Sequence, residues 1–247
     1  MDTFIFGIHP VIEALKSGTE INKIFIRKGL LSDAIGQLIN LAKPLNIPVQ
    51  FIPQERFNKY TRKNHQGVLA IVSPVEYQPW EEVLHRVFAS GRDPLFLVLD
   101  GITDVRNFGA IARTAECTGV DAIIITTTNN PGITADAVKT SAGALNTVPV
   151  CRVKYLSDTL KALRQSGLSI VACTRSNDTP YIEADFNRPL AIVMGSEDKG
   201  IEPVNLNQCE LNIGIPVFGS LDSLNVSVAT GVVVYEVLRQ RNLIGKQ

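Results

Sequence analysis

A chain of 247 residues with 45% hydrophobic content and no low-complexity tract can bury one large or two modest cores, which excludes disordered and fibrous classes. Lys+Arg and Asp+Glu each number 24, and a net charge of zero argues by itself against a polyanionic partner, because phosphate contacts need Lys and Arg. No apolar run reaches bilayer-spanning length, and "MDTFIFGIHPVIEALKSG" lacks the basic and apolar blocks of a signal peptide, so no membrane is expected and the expected location is the cytoplasm.

Along the chain the first 73 residues alternate regularly. A short helix "PVIEALKSG" precedes a strand "INKIFIR", a helix "LSDAIGQLINLAK" stopped by Pro44, and strands "PVQFI" and "VLAIVS". That pattern predicts a small α/β unit over 1–73. Its charge is not neutral: residues 1–72 hold nine Lys+Arg against five Asp+Glu, leaving 15 against 19 in the remainder, so +4 is followed by −4. The densest basic segment is "ERFNKYTRKNHQG", where Arg56, Lys59, Arg62 and Lys63 interleave with Phe57, Tyr60 and His65, followed by Gln66. Such a segment suits phosphates with its cations and unpaired bases with its rings, or is an ordinary solvated helix end. "PVEYQPW" then reads as an extended connector, and 74–93 as linker and connecting helix.

From residue 94 to the end, at 247, stronger apolar strands are predicted: "LFLVLD", "DAIIIT", "SIVACT", "LAIVMG" and "ELNIGIP", with helical segments around 107–118, 133–141, 156–166 and 225–241. Near-continuous apolar strands separated by helices predict a parallel sheet covered on both faces, with ligands at the loops beyond the strands' carboxyl ends. Three loops there are rich in Gly, Asn, Ser and acids. In "LDGITDVRNFGAIARTAECTG", Asn107 is a candidate helix cap and Arg113 stands close enough to meet an anion or a developing negative oxygen. In "IVMGSEDKGIEP", Ile201 and Glu202 replace the lysine and hydroxyl of a phosphate loop. Its acids Glu197 and Asp198 suit a neutral or cationic ligand, with the glycines allowing close backbone approach. In "IGIPVFGSLDSLNVSVATG", Ser223 or Asn225 can cap the following helix, yet Ser220, Asp222, Ser223 and Asn225 exceed what one helix end needs. Ile215, Pro216 and Leu224 add apolar surface on which a flat heteroaromatic ring could rest.

Other chemistries lack their signatures. There is no GxGxxG, HExxH or GxSxG, and the histidines, His9, His65 and His85, lie outside the three loops, which excludes a Ser-His-Asp device there. Cys117, Cys151, Cys173 and Cys209 are too far apart for a CxxC metal or redox pair and read as buried thiols; no metal site is expected.

Together, "RNFGAIART", "VMGSEDKGI" and "IPVFGSLDSLNVSVATG", in that order and with "SAGALNTVPV" before the second, closely resemble the signature motifs of the SpoU-type (TrmH-like) branch of the SPOUT methyltransferases over roughly 94–241. "GIHPVIEAL" and "NHQGVLA" resemble the small L30e-like substrate-binding domain of rRNA-modifying members. The whole chain is most similar to enzymes that methylate a guanosine ribose in the peptidyl-transferase region of 23S rRNA. Val105 departs from the proline that many relatives carry, which affects loop stiffness rather than functional groups. The resemblance implies a deep trefoil knot in the C-terminal domain, S-adenosylmethionine as donor, and a homodimer with its catalytic centre near the subunit interface. It implies cofactor contacts at Gly195, Ile215, Pro216 and Leu224, a catalytic set of Arg113, Asn107, Glu197, Ser223 and Asn225, and RNA contacts by Arg56, Lys59, Arg62, Lys63, His65 and Gln66. The RNA expected is 23S rRNA or a large-subunit assembly particle. A tRNA 2'-O-methyltransferase and a non-catalytic ribosome-assembly factor that keeps the fold are the alternatives.

Overall fold

The computed structural model describes residues 3–57, 60, 65–175 and 179–243. They divide into two compact units, one of residues 1–76 with 132–136, the other of 77–131 with 137–247.

The first unit runs β1 (Phe4–Phe6), α1 (Ile8–Lys16), β2 (Ile21–Arg27), α2 (Asp33–Ala42), β3 (Val49–Ile52), α3 (Gln54–Phe57) and β4 (Val68–Val72). Three-residue β1, invisible to periodicity, pairs antiparallel with β4 and completes a sheet of order β1-β4-β2-β3. Alternation splits β2 between two cores. Ile24 and Ile26 pack with Val11, Leu15 and Leu38 of the helices, whereas Phe25 packs with Phe57, Ile52 and Leu69 on the other face. Helix α2 starts where Ser32 accepts a hydrogen bond from Ile35 N–H at 3.3 Å, two residues later than the apolar pattern suggests. The Asn22 side-chain amide donates to the carbonyl of Ile133 at 2.7 Å, which ties 132–136 to this unit.

The second unit runs α4 (Trp80–Ala89), β5 (Leu95–Asp100), α5 (Val105–Cys117), β6 (Ala122–Thr126), α6 (Ala135–Thr140), β7 (Val150–Val153), α7 (Leu156–Gln165), β8 (Ser169–Thr174), β9 (Leu190–Gly195), α8 (Pro203–Leu206), β10 (Leu211–Gly214) and α9 (Val226–Gln240). All its strand pairs are parallel, in the order β10-β8-β9-β5-β6-β7. The expected parallel sheet is therefore present, with one strand more than periodicity gave. Strand β7, "VCRV", is an edge of four residues whose Arg152 masks its apolar pattern. That guanidinium lies 4.3 Å from the Tyr77 ring, and Gln78 N–H donates to the Val150 carbonyl, so the connector is extended and closes the sheet's edge.

Both faces of this sheet are covered. Phe96 and Val98 of β5 point into a core with Val83, Val87, Leu160 and Leu163 of α4 and α7. The opposite face is closed by α5 and α9, which pack on each other and bury Phe108, Ile111, Val233, Val234 and Val237. "SAGALNTVPV" lies at the end of α6: a Cβ on Gly109 would stand 2.7 Å from Thr140 atoms, so the close approach of α5 requires glycine. Ser141, fully buried there, donates to the Val138 carbonyl at 2.9 Å. Among the described residues no helix is long and apolar enough to cross a membrane, and no group of three or more His, Cys, Asp or Glu is placed to hold a metal ion.

Candidate active site

Strand order reverses between β5 and β9: the chain leaves β5 towards β6 on one side and leaves β9 towards β10 on the other. Ligands of open parallel sheets gather at such a point. Asp100 and Gly195, the last residues of the two strands, stand opposite each other in register. The buried Asp100 carboxylate accepts from Glu202 N–H at 2.7 Å and from the Asn205 amide at 2.9 Å, which anchors the returning limb of the second loop. Ser196 and Gly200 exchange two backbone hydrogen bonds of 3.1 and 2.9 Å, so residues 195–201 fold back as a tight hairpin. A Cβ on Gly195 would lie 2.3 Å from the carbonyl carbon of Gly200. This glycine thus makes room for the loop's own backbone.

Helix α5 is capped by Asp104, whose carboxylate accepts from the N–H groups of Arg106 and Asn107 at 2.7 and 3.0 Å. Asn107 is therefore not the cap, and its side chain is free to reach outward. Its Nδ2 donates to Glu197 Oε1 at 3.2 Å and its Oδ1 accepts from Asn225 Nδ2 at 2.9 Å. Asn225 does cap α9, accepting from Ser227 N–H at 2.9 Å, while Nδ2 also donates to Glu197 Oε1 at 2.6 Å. Val226 N–H reaches the same oxygen at 3.3 Å. One carboxylate oxygen thus joins all three loops. Arg175, which sequence reasoning did not single out, donates from its guanidinium to the Glu197 carbonyl.

Beside this cluster lies a cleft of about 350 Å³ between the second and third loops: Gly195, Glu197, Ile215, Ser223 and Leu224 line it, with apolar walls from Met194, Ile201, Leu206 and Val217. Pro216 does not line it and is exposed. Ser223 stays exposed on the cleft's rim. A second cleft of about 330 Å³ lies across the hairpin, lined by Asp104, Asn107, Glu197, Asp198 and Glu202. Arg113 lines neither cleft. It stands six residues beyond Asn107, about 9 Å along the helix and about 120° around it, and points to solvent. So the fold brings Asn107, Glu197 and Asn225 together but not Arg113.

In the first unit, burial removes two groups from base stacking. Phe57 is fully buried, and the buried His65 ring stacks on it at 4.5 Å, with Nδ1 accepting from Gly67 N–H at 3.0 Å and Nε2 within 3.3 Å of the Gln54 amide. Tyr60 stacks on Phe25 at 5.2 Å. These rings hold the sheet's outer core together, which is why their spacing resembled a stacking platform. Arg56 and Gln66 are exposed; Lys59, Arg62 and Lys63 lie outside the described residues.

Three thiols are covered, but Cys117, at the end of α5, is exposed, against expectation. Burial pushes Cys173, on the cleft wall, up to about 11, and Cys151 and Cys209 up to about 12. An aromatic disulfide reagent at about pH 8 is expected to titrate Cys117 alone in the native protein and all four thiols after denaturation, because only thiolates react. A second fast thiol in the native protein would contradict this.

Residues 94–235 match the model of the SpoU rRNA Methylase family. The chain belongs to that family. Residues 4–78 match the model for RNA 2'-O ribose methyltransferase substrate binding, so the expected substrate-binding domain precedes the SpoU domain. A Staphylococcus saprophyticus protein named as a candidate TrmH family tRNA/rRNA methyltransferase is 38% identical over 241 residues, 98% of this chain and 97% of the relative. Among solved structures, the SpoU methyltransferase AviRb from Streptomyces viridochromogenes, in complex with the cofactor AdoMet, shares the fold with a TM-score of 0.62 at 22% identity, over 98% of this chain and 91% of its own. A TrmH/SpoU tRNA modifying enzyme from A. aeolicus is similar with a TM-score of 0.56 at 28% identity, over 67% of this chain and 85% of its own. This SpoU family member is thus an RNA methyltransferase, and its three signature motifs are the three loops joined at Glu197.

Proposed function

We propose that the protein transfers a methyl group from S-adenosylmethionine to the 2'-hydroxyl of a guanosine ribose in 23S rRNA, free or in a large-subunit assembly particle. The observation that carries this reading is the convergence of all three motif loops on Glu197 Oε1 at the mouth of the 350 Å³ cleft. That volume falls in the range of small-molecule sites. The cleft's residues fit the cofactor: Met194, Ile201, Ile215 and Leu224 offer apolar surface to a heterocycle, and Glu197, Asp198 and Asp222 at the rim favour a cationic group. S-adenosylmethionine, when bound, supplies a methyl group activated by its sulfonium.

The chain's own task is to present the ribose oxygen in line and to ease loss of its proton. Asn107 and Asn225 fix Glu197, which lines the cleft, by their hydrogen bonds to its Oε1. A guanidinium does not give up its proton in a protein, so Arg113 acts by stabilising developing negative charge and holding the ribose or its phosphate, with the proton passing to water, phosphate or a nearby acceptor. Because Arg113 faces away from its own subunit's cluster, we assign this role in a homodimer, with Arg113 of one protomer reaching the cleft of its partner. The exposure of Phe218, Leu221, Val228 and Tyr235 on the third loop and α9, at 97%, 76%, 52% and 52%, supports such an interface. The knot implied by the family resemblance belongs to the same proposal, and the laying of β9 between β8 and the earlier β5 is in keeping with it.

The target rests on the first unit. The A. aeolicus tRNA modifying enzyme matches 67% of this chain, whereas a substrate-binding model accounts for residues 4–78, which favours an RNA that engages that unit. The names of the relatives keep tRNA as the second reading. The test is transfer of radiolabelled methyl groups into separated rRNA and tRNA from cells lacking the protein, with the modified nucleotide mapped. Label in one 2'-O-methylguanosine of large-subunit rRNA is the expected result. Label in tRNA alone would replace the target, and absence of label from RNA and particles despite cofactor binding would leave a binding protein.

A further inference from the structure

The sequence's densest basic segment lies in the first unit, yet the second unit carries a basic surface of its own on α5. Arg106 and Arg113 are seven residues apart, two helical turns, and therefore lie within about 20° of one another on the helix surface. That face is opposite the one that buries Phe108, Ile111 and Ala115. Lys139 comes from the adjoining segment: the next residue, Thr140, is the one that Gly109 approaches, and Gly109 lies between the two arginines in sequence. All three cations are exposed, and none has a hydrogen-bond or ion-pair partner for its side chain among the described residues. Glu116, one turn beyond Arg113, forms no ion pair with it.

Arg106 is also in a costly place. It occupies the first turn of α5, where the helix dipole presents positive charge; the capping Asp104 carboxylate bonds to the Arg106 N–H, while the Arg106 guanidinium itself has no partner among the described residues. An unpaired arginine at that position, in line with the proposed charge-stabilising arginine, suits an anion brought from outside.

We propose that Arg106 and Lys139, with Arg113, form a phosphate track on the methyltransferase unit, which holds the RNA strand flanking the target ribose. Arg113 faces the reacting oxygen; Arg106 and Lys139 are positioning residues that bind backbone phosphates and carry no base readout. This inference rests on the RNA methyltransferase reading.

The full-length protein, with Arg106→Gln and Lys139→Gln, is titrated with a fluorescein-labelled single-stranded RNA oligonucleotide over a range of salt. Each substitution is expected to weaken binding by about threefold to tenfold at low salt and to reduce the salt slope by about 0.7 per lost phosphate contact. In methyl transfer to rRNA the KM for RNA rises in the same proportion, kcat at saturating RNA holds, and cofactor affinity holds. Arg106→Gln removes an unfavourable charge from the helix start, so Tm stays level or rises, and weaker binding is not a folding defect. Lys161→Gln, on α7, makes the same change of net charge away from the track and should leave RNA affinity as it was. Equal loss with Lys161→Gln, or unchanged affinity and slope in Arg106→Gln and Lys139→Gln, overturns the track while wild-type methylation still supports the proposed function. A wild type that neither binds nor methylates RNA overturns both.

Discussion

Arg113→Ala is expected to lower kcat for RNA methylation by about a hundredfold to a thousandfold, the loss seen when one preorganised donor to a developing negative oxygen is removed. Stability should barely change, because Arg113 is exposed and its side chain has no partner among the described residues. Cofactor affinity should also hold, since the residue lines neither cleft. Single-turnover methylation with saturating RNA, paired with calorimetric cofactor binding, separates these quantities. Full activity in the variant would end the assignment. The proposed homodimer adds a sharper form of the test. If Arg113 acts across the subunit interface, an inactive Arg113→Ala protein mixed with an inactive Glu197→Ala protein should recover activity, because a heterodimer then holds one cleft with an intact Glu197 and an intact Arg113 from its partner. No recovery under conditions where protomers exchange would place the arginine's action within one chain.

Gly195→Ala should be the most damaging small substitution in the second loop. The added methyl would lie 2.3 Å from Gly200 C and 2.4 Å from Ile201 N, both backbone atoms that no rotamer change can move. Relief requires opening the hairpin, with loss of the Ser196–Gly200 hydrogen-bond pair. Overpacking and two lost hydrogen bonds together come to about 2–5 kcal/mol, or a fall in Tm of roughly 5–15 °C. Glu197 lies within that hairpin, so its bonds to Asn107, Asn225 and Val226 loosen with it, and cofactor affinity is expected to drop by more than about tenfold. Gly219→Ala in the third loop is the comparison: nothing lies within 4 Å of its added Cβ, and its effect on Tm should be slight. Equal tolerance of the two substitutions, read by thermal denaturation and cofactor titration, would refute this account of the hairpin.

Much of the protein could be read from its residues. Near-continuous apolar segments such as "LFLVLD" and "LAIVMG" identify buried parallel strands, because a strand covered on both faces has no polar side. Among residues 150–153 Arg152 interrupts three apolar residues, and an edge strand of that length leaves too short a period to detect; only its pairing with β6 reveals β7. Motif order located the three loops and hence Asn107, Glu197 and Asn225.

What those residues do to one another was decided in three dimensions. Asp104 and Asn107 are equally good caps on paper, and the helix start at Val105, two residues before Asn107, gave the cap to Asp104, leaving Asn107 to bridge to Glu197 across 90 residues of sequence. Phe57 and His65 have the composition of an RNA-stacking segment, but a sheet with two apolar faces needs a second core, and they fill it. The sequence by itself determined the family, the parallel sheet and the loops that meet at its switch point, because these depend on local patterns and on motif order. Tertiary structure alone decided which polar groups satisfy each other, which rings are buried and which cations, Arg106, Arg113 and Lys139, are left facing solvent, because hydrogen bonding and burial depend on neighbours that the chain brings from far away.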